Sequence, residues 1–210
     1  MLDPTLFAAF VATSLVVLIT PGPGVLYVIA RTLAQGHRAG FASVLGLSFG
    51  ALFHVAAATL GLSALLMTSA TAFTVVKYIG AAYLIYLGLR ALLDNRTPGA
   101  AQTPKPTSLR RLFADGMIVS LFNPKIAVFF LAFLPHFVDP TLGNATAQFA
   151  LLGVTYATLA LFTDGAYCLF ATSLRHLASA RLMQGPWLGY MTGVVFIALG
   201  LAALLSERKT

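Results

Sequence analysis

Apolar residues run along this chain in long blocks, and the short stretches between the blocks hold nearly all of the charge. A bilayer's hydrocarbon core needs roughly 20 predominantly apolar residues per helix. On that ruler the blocks predict six spans, at about 5–31, 40–66, 72–93, 112–138, 145–174 and 186–205. Two of them are interrupted. The stretch Leu18-Ile19-Thr20-Pro21-Gly22-Pro23-Gly24-Val25-Leu26 places two prolines and two glycines inside a run from Pro4 to Ala30 that has no charged residue, and Asn123-Pro124-Lys125 breaks the fourth block near its centre. Each proline removes a backbone donor, and in hydrocarbon the carbonyl so abandoned must find a partner in protein or in a water-lined cavity. A helix broken there must turn its break inward.

Both breaks fall in the first helix of a three-helix half. Three is odd, so the halves must lie in opposite membrane orientations. The predicted fold is an all-α integral membrane protein of six transmembrane helices, built as two inverted three-helix repeats with broken first and fourth helices. The organisation is one transmembrane domain over 1–210, with halves 1–93 and 112–210 and the Pro-, Gly- and Thr-rich stretch 94–111 as the linker. In inverted-repeat transporters, Gly/Pro-interrupted helices at corresponding places in the two halves point to the binding site.

Composition supports this solvent assignment: 59% of the 210 residues are hydrophobic and 9% charged, against roughly a quarter charged in a soluble domain. The formal charge of +7 does not mark a nucleic-acid partner, because the Lys and Arg residues sit at the borders of apolar runs and not in clusters with aromatics. They set topology instead. Alternate connections hold Arg31, Arg38, Arg90, Arg96, Lys105, Arg110, Arg111, Arg175 and Arg181, against Lys77, Arg208 and Lys209 on the other side. By the positive-inside rule this predicts both termini outside and the linker in the cytoplasm. The first span lacks a preceding basic residue and is too long for a cleavable signal, so it is expected to stay in the protein.

The first break also has a chemistry. Where the second half-helix restarts, the N–H groups of Gly22, Gly24, Val25 and Leu26 are expected to lack helical partners. Proline is pre-shaped for the first turn, glycine lets a ligand approach the backbone, and the macrodipole adds about half a positive charge. Such an end attracts anions, an amino-acid carboxylate among them. Pro21, Gly22, Pro23 and Gly24 are therefore candidate substrate-binding residues. In the other half Asn123 reads as an N-cap, Pro124 as the first helical residue and Lys125 as the second. A lysine at mid-membrane costs about 2.5–3.5 kcal/mol on insertion scales, and the positive end of a helix adds to that cost, unless an anion is near. Asn123, Pro124 and Lys125 join the candidate site, with the substrate carboxylate or Asp164 as the anion. Asp164, the only acid deep within a span, is the first candidate for proton coupling. His54 is the second, although it reads equally as a packed histidine bonded to a backbone carbonyl. Gly46 and Gly50, and Gly189 and Gly193, are spaced for close helix packing. Tyr83, Tyr86 and Trp187 either line a pathway or sit at interfaces, and Asp115 is placed to guard an entrance at the cytoplasmic end.

The blocks "TPGPGVLYVIARTLAQGHRAGFASVLGLSFGALFHVAAATLGLSALL", "VVKYIGAAYLIYLGLRAL" and "NPKIAVFFLAFLPHFV" occur in this order over nearly the whole chain. They resemble the LysE/RhtB family of bacterial amino-acid exporters, most closely its RhtB branch that exports threonine and homoserine. The resemblance implies a six-helix inner-membrane efflux carrier for neutral amino acids, driven by proton antiport with alternating access. Its implied partners are an amino-acid substrate, protons and the lipid bilayer, with further copies of the chain as an oligomer and no cofactor. There are two departures. The family's fifth-helix acid aligns near Ala160, one turn before Asp164, and an acid that some relatives carry near Ala51 is absent here.

Other functions fit the residues less well. The single cysteine, Cys168, excludes a disulfide framework and a paired-thiol carrier within one chain. A metal exporter would cluster His, Cys or carboxylates on facing helices, and no metal-ligand cluster is expected here. An intramembrane enzyme would need a nucleophile with a base, or a motif such as H-E-x-x-H, so no enzymatic activity is expected. The alternatives that stay open are an exporter of another small metabolite or cation and a non-catalytic membrane assembly subunit. The second leaves Lys125 unexplained.

Overall fold

A computed structural model describes residues 2–62, 69–93 and 107–174, together with Tyr190, Val194, Ile197, Ala198, Leu201 and Leu204. Linker residues 94–106, Trp187, Gly189, Gly193 and nearly all of the expected sixth span lie outside the described residues.

Among the described residues the chain is all-helical. Helix α1 spans Pro4–Ile19 and is started by Asp3, whose carboxylate accepts from Thr5 N at 2.7 Å and Leu6 N at 3.1 Å. It stops at Thr20, because Pro21 and Pro23 have no N–H to continue the ladder. Helix α2, Pro23–Gln35, resumes at an angle of 51° to α1. Gly36 follows at φ 88°, ψ 179°, backbone that only glycine adopts without strain. There α3, His37–Ala57, starts with no intervening loop and runs on as a π turn over Ala58–Leu62. Helix α4 covers Ala70–Leu93. Helix α5, Leu109–Leu121, is capped by Ser108, and after a bend of 43° α6, Pro124–Val128, continues through a π turn at Phe129–Phe133 and a 3-10 turn at Leu134–Phe137. Helix α7 covers Ala145–Leu174.

Among the described residues, two stretches can cross a membrane alone by length and composition, α3 with its π turn and α7. The pairs α1+α2 and α5+α6 qualify as bent spans. The breaks expected from the prolines are therefore present as bends between two short helices. Span ends differ by a few residues from the hydropathy reading: the second begins at His37 instead of 40, and the first extends past Arg31 to Gln35. Charged and amide side chains can extend a helix past the apolar block because the interface tolerates them.

Helix α3 packs hard on α5. A Cβ at Gly46 would lie 2.1 Å from Phe113 O, one at Gly50 2.6 Å from Met117 O, and one at Gly116 2.6 Å from Ser43 O. The small-residue face read from Gly46 and Gly50 is a helix-packing face, where missing side chains let backbones touch. Helix α7 lies against α1, α2 and α3. On one side of the breaks an aromatic core joins Phe10, Phe129, Phe133, Phe137, Phe149 and Tyr156. Leu45, Leu52, Phe53, Leu151 and Phe162 are exposed on the outside, as lipid-facing side chains are. Tyr83 and Tyr86 are exposed as well, with ring centroids 5.7 Å apart, so they do not reach the interior. The connection before α7 is pinned by Asp139, whose carboxylate accepts from Thr141 N at 2.9 Å and Thr141 Oγ1 at 2.6 Å. Those two hydrogen bonds hold its carboxyl below the usual carboxylate range.

Candidate functional site

The two breaks share one cavity. About 430 Å³ of space unfilled by protein atoms, counting the part that opens to the outside, is lined by Gly22, Gly24, Ser120, Asn123, Lys125 and Asp164, with Tyr156 and an apolar remainder that includes Leu18, Val25, Leu47 and Ile126. Gly22 and Gly24 of one break and Asn123 and Lys125 of the other, about a hundred positions apart, therefore face the same space, whereas Pro21, Pro23 and Pro124 are not among its lining residues.

Each break is closed by a side chain from the other half. Pro23 leaves Ile19 O without its helical donor, and Tyr167 of α7 donates its hydroxyl to that oxygen at 2.5 Å. Pro124 does the same to Ser120 O, which accepts from Asn123 N at 3.0 Å and lies 3.0 Å from Nε2 of His54 on α3. A carbonyl can only accept, so Nε2 carries the proton. The third cap is Lys125. Its Nζ donates to Thr20 O at 2.7 Å, and the residue is only 5% exposed.

This geometry accounts for a lysine inside a membrane. The ammonium sits at the C-terminal, electronegative end of α1, where the macrodipole favours a cation by about 0.3–2 kcal/mol depending on burial. Its own short helix α6 is capped as the sequence indicates, with Asn123 Oδ1 accepting from Lys125 N at 3.0 Å and Pro124 in the first turn. The lysine stem lies along Gly22: a Cβ there would come 3.3 Å from Lys125 Cδ and 3.4 Å from Nζ. Gly22 is therefore the space the side chain occupies. Gly24 fills the corresponding role for Leu47 and Asn123, at 3.3 and 3.7 Å.

The first break's exposed donors number fewer than expected. Leu26 N already bonds Gly22 O at 3.0 Å, so of the four expected donors the N–H groups of Gly22, Gly24 and Val25 are left at the bare start of α2 among the described residues. The combination of those amides, a buried ammonium and a wall of apolar side chains suits a small ligand with a carboxylate at one end. Asp164, half-buried on α7, lines the same cavity but makes no direct ion pair with Lys125. His54 reaches the break as a cap on Ser120 O and is not among the cavity's lining residues.

The sequence reading missed Ser120, Tyr156 and Tyr167. Tyr167 carried a usable signal, since a proline at i strips the carbonyl at i−4 and Ile19 O was bound to need a donor from elsewhere. Beyond the cavity, the end of α2 is clasped to the start of α5. Arg31 lies 3.8 Å from Asp115 and over the ring of Tyr27 at 5.4 Å, Tyr27 donates to Leu112 O at 3.1 Å, and Thr107 N donates to Gln35 Oε1 at 2.6 Å.

Residues 15–207 match the LysE type translocator family. A protein of Vibrio cholerae serotype O1 described as an uncharacterized membrane protein is 32% identical over 209 residues, covering 99% of this chain and 100% of that one. The homoserine/homoserine lactone efflux protein of Salmonella typhi is 33% identical over 208 residues, 96% of each chain. The leucine efflux protein of Salmonella choleraesuis is 26% identical over 202 residues, covering 96% of this chain and 94% of that one. No solved structure matches. The match covers both helix breaks and the residues that close them, so the chain belongs to the LysE type translocator family.

Proposed function

We propose that this protein is a secondary transporter that carries neutral amino acids of the threonine and homoserine type out of the cytoplasm by proton antiport. One observation supports this above the rest: Lys125, from the break in one half, reaches the break in the other beside Gly22 and over a shared cavity. The substrate carboxylate sits on the Gly24 and Val25 amides with Lys125 as its charge partner, and Pro21, Pro23 and Pro124 keep the backbone open around it. Relatives described as efflux proteins for homoserine and for leucine support export of an amino acid. The six helices form two inverted repeats that rock around this midplane site, and the clasp of Arg31, Asp115 and Gln35 closes its cytoplasmic side. Cells of a bacterium loaded with a dipeptide panel and expressing the protein should release threonine or homoserine faster than control cells. Unaltered efflux of every amino acid would remove the proposal.

Asp164 is the residue that exchanges the proton, because it is the carboxylate lining the cavity and a carboxylate near a lysine and a substrate changes partners as the substrate leaves. Asp164→Asn is expected to abolish uphill efflux, measured as the loss of concentrative export in vesicles with an imposed pH gradient, while downhill exchange persists. Full uphill export by the variant would move the role elsewhere. Both termini lie outside the inner membrane and the linker inside, following the basic residues. A C-terminal reporter active only in the cytoplasm should give no signal, and a strong signal would reverse the orientation.

A further inference from the structure

Resting on the reading of the cavity as an amino-acid site, we propose that the hydroxyls of Ser120 and Tyr156 form its side-chain subsite. They select amino acids bearing a hydroxyl over analogues in which that hydroxyl is a methyl group.

Serine and threonine hydroxyls in the described spans have a default partner, the carbonyl four residues back, and the hydroxyls of Tyr27 and Tyr167 bond carbonyls of other helices. Thr20 bonds Val16 O at 2.7 Å, Thr32 bonds Val28 O at 2.7 Å, Ser43 bonds Ala39 O at 3.0 Å and Thr172 bonds Cys168 O at 2.8 Å. Ser120 and Tyr156 depart from this. Both are 0% exposed, both line the cavity, and neither hydroxyl has a partner among the described residues. Ser14 and Ser48 likewise have no hydroxyl partner among the described residues, but neither lines the cavity. A buried tyrosine hydroxyl usually finds a partner, and a buried polar group left without one destabilises the fold, so a ligand is the natural complement for two such groups facing one space.

The two hydroxyls are also held in place. The Tyr156 ring stacks on Phe129 at 4.8 Å and meets Phe130 edge-on at 5.2 Å. Ser120 is fixed through its own carbonyl, which takes Asn123 N and His54, and through Gly50, where an added Cβ would come 2.6 Å from Ser120 Cβ. Each hydroxyl can donate and accept, which matches a ligand group that does both. A carboxylate only accepts and has Lys125 as its partner. An ammonium only donates and has Asp164. The ligand's remaining polar group is then a neutral hydroxyl, with Leu18, Val25, Leu47 and Ile126 along its carbon stem. A methyl in that position would leave both hydroxyls buried and unpaired, and sites built to bond a substrate hydroxyl reject the analogue lacking it more strongly than apolar pockets distinguish sizes.

Isosteric pairs test this: homoserine against norvaline, and threonine against valine. Half-saturation is read from export in vesicles and from ligand-dependent melting of the full chain in detergent. The wild type is expected to prefer the hydroxylated member of each pair by about tenfold or more. In the combined Ser120→Ala, Tyr156→Phe variant the ratio should fall toward one, because homoserine affinity drops by about tenfold. Melting of the ligand-free Tyr156→Phe protein should be unchanged or raised, since no protein group loses a partner. Equal treatment of both members by the wild type, a preference that survives the double substitution, or a lowered melting temperature for ligand-free Tyr156→Phe would each overturn the subsite. If neither member of either pair is bound or exported, the amino-acid reading itself fails and takes the subsite with it.

Discussion

Lys125→Ala is expected to abolish export while the protein still inserts. Two losses combine. Thr20 O, at the end of α1, loses the ammonium at 2.7 Å, and leaving a buried carbonyl unpartnered costs about 1–3 kcal/mol. The cavity also loses the one cation that lines it among the described residues. Truncating one member of a buried, hydrogen-bonded charge pair costs about 2–5 kcal/mol, so apparent affinity for an anionic ligand should weaken by roughly 30-fold or more. Lys125→Met keeps most of the stem against Gly22 but removes both the charge and the donor to Thr20 O, so it should lose export as the alanine variant does, without the loss of packing. Lys125→Arg should also perform poorly, since a planar guanidinium does not replace a compact ammonium beside Gly22. If the alanine variant, shown to be inserted, exports with unaltered apparent affinity, Lys125 is a helix cap alone and the shared-site proposal is wrong.

Gly22→Ala is the gentler version of the same experiment. Gly22 has φ −141° and ψ −175°, extended backbone open to any residue, so the substitution carries no conformational strain. The three atoms nearest the added Cβ all belong to the lysine side chain, at 3.3–3.7 Å, and that flexible stem yields by a few tenths of an ångström. Export half-saturation should rise several-fold with melting nearly unchanged. A large drop in stability would mean that the break tolerates no Cβ for reasons beyond Lys125.

The breaks were legible in the sequence because their cause is local. Pro21, Pro23 and Pro124 lack donors wherever they sit, Asn123 caps by bonding two residues along, and α1 ends and α6 begins where those residues require. The partners that close the breaks were not legible. Lys125 to Thr20, Tyr167 to Ile19 and His54 to Ser120 link residues 66 to 148 positions apart. Helices that are apolar on all sides give little sign of which face turns inward. The ammonium of Lys125 was assigned an anion as its neighbour for the same reason: a bare carbonyl at the end of another helix is invisible until the bend is known. Leu26 shows a smaller failure of the same kind, since a glycine carbonyl at 3.0 Å satisfied a donor that the helix start alone left open. The packing glycines were easier, as a four-residue spacing of Gly46 and Gly50 states its own geometry.

Gly46→Ala should be among the most destabilising single substitutions in the described helices. The added Cβ would lie 2.1 Å from Phe113 O, 2.9 Å from Phe113 C and 3.0 Å from Phe113 Cα. All three atoms are backbone, so no side chain can swing aside and α3 must move away from α5 by more than 1 Å. Overpacking of this kind costs about 1–3 kcal/mol or more, which corresponds to a melting temperature lower by several degrees, at roughly 2–4 °C per kcal/mol for a chain of this size. Function should fall further than stability, because α3 carries Leu47 and His54 and α5 carries Ser120, and separating the helices pulls His54 from the carbonyl it closes. Gly50→Ala, at 2.6 Å from Met117 O, should rank second. Gly165→Ala on α7 meets nothing within 4 Å and serves as the control, expected within about 0.5 kcal/mol of the parent. Thermal unfolding of the three variants in one detergent, followed by export normalised to folded protein, would rank them. An unshifted melting temperature for Gly46→Ala would mean that α3 and α5 are not packed backbone to backbone, and that the cavity is not held together by that contact.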